Sequence, residues 1–205
     1  MKKILIPMMV LLLSACSLGM SATPKQKVSE FLDKYKNQDN TILSQLDETI
    51  KTEYTNDDYR QRYKTLMTNQ YKNMEYKIKD EIIEDNNAVV EAEITVFDYA
   101  SAIRNANDYL NNNPNEFSTS NPTIDMDDAD DETTKDSEDD KLDSTDNKDY
   151  DEDKFIDYKL SQMENVNDTV TYTIEFTLTK VDGVWKLDSL SNADIEKLHG
   201  IYNQG

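Results

Sequence analysis

Cysteine and histidine each occur once in the 205 residues, and glycine and proline four times each. A lone cysteine allows no disulfide framework and no cysteine-rich zinc site. A lone histidine, His199, removes most histidine-based metal sites and catalytic triads. Four glycines leave little material for a glycine-rich loop that cradles phosphate. Basic residues are also scarce: 22 Lys and Arg stand against 42 Asp and Glu, a net charge of −20. That balance argues against nucleic acid as a partner, because phosphate contacts need clustered Lys and Arg. No apolar run approaches the ~20 residues that a bilayer-spanning helix requires.

The negative charge is concentrated. Residues 118–153 hold 16 acidic residues and 3 lysines, with only Ile124, Met126, Ala129, Leu142 and Tyr150 apolar. Such a segment buries too little surface to offset its chain entropy. Residues 111–153 are therefore expected to form a disordered, acidic, low-complexity insertion. Its aspartates invite a calcium reading, but the twelve-residue EF-hand loop fails. Started at Asp149, that loop has Lys154 where glycine is needed and Leu160 where glutamate is needed. What remains is weak, diffuse divalent-cation binding, set against the plainer role of a solvated, self-repelling spacer.

The N-terminus has a different character. Lys2 and Lys3 form a positive start, Ile4 to Leu13 is an apolar run broken by Pro7, and Ser14 and Ala15 are small. That order is an export signal, expected over residues 1–15. Leu13-Ser14-Ala15-Cys16 resembles the lipobox of bacterial lipoproteins. The resemblance implies cleavage before Cys16 and a diacylglycerol group on its sulfur. Two acyl chains give stable anchoring, where one is marginal. Ser17 to Ala22 are mostly small residues and read as a tether, with the lipidated cysteine and tether covering 16–23. Lysine outnumbers arginine and asparagine is abundant, which leans toward a Gram-positive host. The expected location is the extracytoplasmic face of the cell membrane.

Local signals then mark out a folded unit. Thr23-Pro24-Lys25-Gln26 is a helix start with a capping box, followed by Val28, Phe31, Leu32 and Tyr35 at helical spacing. Ile42, Leu43, Leu46 and Ile50 predict a second helix. Tyr59, Tyr63, Leu66, Met67, Tyr71 and Met74 predict a third after Asn56. The period then drops to two. Tyr76 and Ile78 open a strand that runs to about Glu84, and Val90, Ala92, Ile94 and Val96 form its hairpin partner beyond a turn at Asp85-Asn86-Asn87. Tyr99, Ile103, Ala106 and Leu110 predict a helix. Phe155, Tyr158 and Leu160 begin a short element of undecided type. Val170, Tyr172, Ile174, Phe176 and Leu178 give the strongest strand signal, and Asp182-Gly183 a two-residue hairpin turn. That turn places Leu178 opposite Leu187 and Lys180 opposite Trp185. Ser191 caps a last helix bearing Ile195 and Leu198.

The expected fold class is α+β, with N-terminal helices packed on a curved antiparallel sheet. Residues 24–110 and 154–202 would form one domain. A unit of roughly 150 residues buries about two-thirds of its unfolded surface. The helix signals Thr23-Pro24…Val28…Phe31-Leu32…Tyr35…Asp39 and the run Val181-Asp182-Gly183-Val184-Trp185-Lys186-Leu187 resemble the cone-shaped domains of the nuclear transport factor 2-like, or cystatin-like, superfamily. More narrowly, the chain resembles uncharacterised bacterial lipoproteins built on that fold, which imply no particular chemistry and no cofactor.

That superfamily includes domains with a Tyr and Asp pocket for proton transfer. Tyr63, Tyr71, Tyr76, Asp98, Tyr99 and Tyr172 are the candidate pocket residues here. Tyrosine at helical or alternating spacing more often lines a core with its hydroxyl partnered. No spacing marks a carboxylate as buried, as a general base would need. His199, beside Gly200, reads as a cap or dipole partner. Trp185 shares a face with Phe176 and reads as core. The expected function is therefore a non-catalytic binding module at the bacterial envelope, taking a protein, peptide or small ligand. The alternatives are a small pocket enzyme of isomerase or hydrolase type, and a spacer whose acidic arm binds cations.

Overall fold

The computed structural model describes residues 22–119 and 150–203. The export signal at 1–15, the lipobox residues Leu13, Ser14, Ala15 and Cys16, most of the tether and the middle of the acidic stretch lie outside the described residues.

Three helices come first: α1 (Pro24–Lys36), α2 (Asn40–Glu53) and α3 (Asp57–Asn73). The strands β1 (Glu75–Glu84) and β2 (Asn87–Phe97) follow, then α4 (Tyr99–Asn112) and a short 3-10 turn at Pro114–Phe117. Beyond the acidic stretch come α5 (Glu152–Glu164), β3 (Thr169–Val181), β4 (Val184–Leu187) and α6 (Asn192–His199). Thr23, Asp39, Asn56, Asp98, Asp151 and Ser191 each cap a helix with a side-chain oxygen on a backbone N–H. These short side chains satisfy amides that have no partner within the helix. At α1 the capping box is complete: Gln26 N donates to Thr23 Oγ1 at 3.2 Å, and Thr23 N donates to Gln26 Oε1 at 2.9 Å.

The four strands form one antiparallel sheet in chain order. Asp85 adopts φ of 54° in the β1–β2 turn, and Asp182 and Gly183 adopt 52° and 79° in the β3–β4 turn. Two consecutive positive φ angles are the type I′ geometry that suits the sheet's twist. The pairs Leu178–Leu187 and Lys180–Trp185 form as the turn dictates. In the centre, Val90 pairs with Phe176, Ala92 with Ile174 and Ile94 with Tyr172. Strand alternation puts these side chains on one face. There they meet Val28, Phe31 and Leu32 of α1, Met67 and Tyr71 of α3, and Leu198 of α6 in one core. The Phe31 and Phe176 rings pack edge to face at 5.9 Å. Each such buried side chain contributes about 1.5–3 kcal/mol by leaving water. The opposite face carries Glu91, Glu93, Thr95, Thr171, Thr173 and Glu175.

A bulge between Ile78 and Glu81 shifts the β1 register by one residue. Beyond it Ile82 and Ile83 are exposed.

The element left undecided by sequence is a full helix, α5, burying Phe155, Leu160 and Met163. Its Phe155 joins Ala106 and Phe117 in a small second core, flanked by Tyr109, Leu110 and Tyr158. Structure thus reaches into the stretch 111–153 from both ends. The Pro114–Phe117 turn buries Phe117, Ser118 bridges Tyr150, and Asp151 N donates to Phe117 O at 2.7 Å. The apolar residues Phe117 and Tyr150, few in an acidic setting, are the ones used.

Candidate binding pocket

Where β2 ends and α4 begins, three segments converge. Asp98 N donates to Asp168 O at 2.9 Å, which ties the end of β2 to the loop before β3. Ala100 N donates to Gly200 O at 2.7 Å, which brings the C-terminal segment alongside. The result is an open pocket of about 180 Å³ lined by Asp98, Ala100, Ser101, Arg104, Val170, Tyr172 and Tyr202.

Asp98 is held by its capping role. Its Oδ1 accepts from Ser101 N at 3.0 Å, and its Oδ2 accepts from Ser101 Oγ at 2.6 Å. Arg104, one turn along α4, donates from Nη2 to the same Ser101 Oγ at 2.8 Å and from Nη1 to Asn203 Oδ1 at 3.3 Å. On the strand side, Tyr172 Oη donates to Tyr202 O at 3.4 Å, and the two rings pack edge to face at 5.8 Å. Burial raises the Tyr172 pKa, and the Asp98 carboxylate adds to that, against an opposing effect of Arg104. The phenol is therefore un-ionised at neutral pH.

Of the six candidate pocket residues, Asp98 and Tyr172 line this site and the other four do not. Tyr63 packs on Tyr54 with ring centroids 5.3 Å apart and is buried. Tyr71 packs against Tyr35 in the core, 1 % exposed. Tyr99, the residue after Asp98, points the other way, and its Oη donates to Leu66 O at 3.3 Å. Tyr76 lies on the inner sheet face, and its hydroxyl donates to Asp33 Oδ1 at 2.7 Å. The physical reason is common to all four: their helical or alternating spacing aims the ring at the apolar core, with a local partner for the hydroxyl. Burial raises the pKa of Tyr63 and Tyr71 well above the usual phenol value.

Ser101, Arg104 and Tyr202 line the pocket without having been singled out from the sequence. Arg104 and Ser101 carry a weak signal, being polar residues one turn apart beyond a capping Asp. Tyr202 carries none, because only the return of the chain after α6 brings it there.

His199 sits elsewhere. Its Nε2 lies 3.0 Å from Tyr71 Oη, and burial lowers its pKa to about 4. The expected role was a cap or dipole partner; the C-cap of α6 is Gly200, and the imidazole, neutral at pH 7, lies against Tyr71. Trp185 is core, 7 % exposed, with Lys180 Nζ 5.4 Å over its ring.

Chemically, the pocket's lining residues offer a carboxylate, a guanidinium, three hydroxyls and an aromatic wall. Ser101 Oγ bridges Asp98 and Arg104, with no imidazole beside it to act as base. Among the described residues, no group of three or more His, Cys, Asp or Glu is placed to hold a metal ion. Comparisons with protein-family models, with curated proteins and with solved structures give no match.

Proposed function

We propose that this chain is a lipid-anchored protein of the extracytoplasmic face of a bacterial cell membrane, whose α+β domain binds a ligand or partner and does not catalyse a reaction. The anchor rests on Lys2-Lys3, the apolar run and Leu13-Ser14-Ala15-Cys16. The non-catalytic reading rests on one observation: the centre of the inner sheet face is filled. Val90, Ala92, Ile94, Ile174 and Phe176 are all 0 % exposed beneath α1 and α3. A cone-shaped domain of the nuclear transport factor 2-like kind would place its reaction pocket on that face. The order of three helices followed by a twisted antiparallel sheet supports that likeness. The pocket at Asp98 lies at the sheet's end and suits binding.

Replacing Cys16 with alanine should move the protein from the membrane fraction to the soluble fraction and abolish incorporation of labelled fatty acid. Continued membrane retention would overturn the anchor. Turnover of a model ester or isomerase substrate that is lost in Asp98→Asn would overturn the non-catalytic reading.

A further inference from the structure

We infer that the pocket at the start of α4 binds a small α-amino acid as its zwitterion, with the ammonium at Asp98 and the carboxylate at Arg104. This inference rests on reading the domain as a binding module, and it names the ligand class.

The first ground is a pair of opposite charges that face one pocket without closing on each other. Asp98 and Arg104 each engage the Ser101 hydroxyl, which donates to Asp98 Oδ2 at 2.6 Å and accepts from Arg104 Nη2 at 2.8 Å. They form no direct ion pair. Close by, Lys197 does pair with Asp194 at 2.9 Å. The serine therefore acts as a spacer that keeps the two charges apart. A ligand with one charge would satisfy only one of them. A zwitterion matches both.

The second ground is spare capacity. The Asp98 oxygens accept from Ser101 alone, whereas a carboxylate offers about four acceptor positions. Arg104 has two partners for its five N–H groups. A planar guanidinium with free N–H groups is suited to a carboxylate. The Tyr172 hydroxyl makes only a long contact, 3.4 Å, to Tyr202 O and can turn toward a ligand.

The third ground is size and shape. The pocket, about 180 Å³, suits a molecule with a few non-hydrogen atoms. Val170 and the Tyr172 ring form the apolar wall for a short side chain. A sugar or base would need an open aromatic face. Tyr202 is already engaged by the Tyr172 ring at 5.8 Å and by Lys197 Nζ at 5.4 Å.

The test is titration of the purified full chain, in mild detergent, with glycine, alanine and serine, followed by calorimetry and by chemical shifts of the Arg104 and Ser101 amides. Saturable binding with one site is expected at concentrations up to about 10 mM, with N-acetylated and amidated forms at least about tenfold weaker. Asp98→Asn and Arg104→Gln should each weaken binding about tenfold. Asn caps a helix as well as Asp does, so the first variant keeps the fold. Absence of saturable binding, equal binding of the N-acetylated or amidated form, or unchanged affinity in both variants would overturn the inference. Membrane retention through Cys16 is read separately, so failure here leaves the anchor standing.

Discussion

The side-chain amide of Gln70 pairs with the backbone of Phe97 as a neighbouring strand would. Phe97 N donates to Gln70 Oε1 at 2.8 Å, and Gln70 Nε2 donates to Phe97 O at 3.1 Å. Gln70 is fully buried, at 0 % exposure. Gly200 closes the junction, at φ of 69° in the C-cap of α6. A Cβ there would collide with Phe97 O and Gln70 Nε2. Helix α3, the end of β2 and the end of α6 are thus locked together beside the pocket.

Gln70→Leu should lower stability by about 2–4 kcal/mol, because it strands a buried donor and acceptor. Urea unfolding of the two proteins checks this. A loss below half the lower figure would mean that water replaces the amide.

Gly200→Ala and Gly183→Ala both force alanine into positive φ, yet their costs should differ. Gly183 has open space around it, so the expected loss is about 1 kcal/mol. Gly200 adds the collision with Phe97 and Gln70, so the loss should exceed about 2 kcal/mol. Equal melting temperatures for the two variants would contradict the packing described.

His199 should make the fold acid-sensitive. Its folded pKa is about 4, below the usual value of 6.5, because burial disfavours the imidazolium. The unfolded chain therefore takes up the proton first. The contribution is fully present above pH 6.5 and is lost as pH falls toward 4, amounting to about 2–3 kcal/mol. His199→Gln should flatten that part of the stability profile, read as the difference between the two proteins at each pH. Parallel profiles would show that the imidazole is not the group titrating.

Arg62 fastens α5 to α3. It grips Glu164 with two bonds, Nε to Oε1 at 2.7 Å and Nη2 to Oε2 at 3.0 Å, and also pairs with Asp157. Arg62→Lys keeps the charge but loses the fork, so it should cost about 1 kcal/mol, and the gap should narrow in high salt. Chemical denaturation at two ionic strengths measures both effects. Full retention of stability in the lysine variant would mean that charge alone matters.

Ser118 and Tyr150 are paired, so the chain on either side of the acidic stretch already meets. Replacing residues 121–148 with a short Gly-Ser turn should keep cooperative unfolding and raise stability by about 1–2 kcal/mol through cheaper loop closure. Circular dichroism melts report this. A lost transition would show that the stretch contributes to the core.

Much of the architecture was legible because its causes are local. The capping box at Thr23 and Gln26, the alternation through β2 and β3 and the Asp182-Gly183 turn each depend on residues within a few positions of one another. Helix α5 was less legible, since Phe155, Leu160 and Met163 mark its buried side amid a charged context. The pocket was legible only in Asp98 and Tyr172. Arg104, Ser101 and Tyr202 meet there through the paths of α4 and the segment after α6.

By itself, then, the sequence determined the order and type of most elements, the register of the β3–β4 hairpin and a basic-apolar N-terminus ending in Cys16. Only the tertiary structure decided which tyrosines are core and which are wall, that His199 is a neutral partner of Tyr71, and that Asp98 and Arg104 share a pocket. Tyr71 and His199 are 128 positions apart. Contacts of that range depend on how whole helices pack, and packing is a sum over many weak, non-directional contacts that no local pattern encodes.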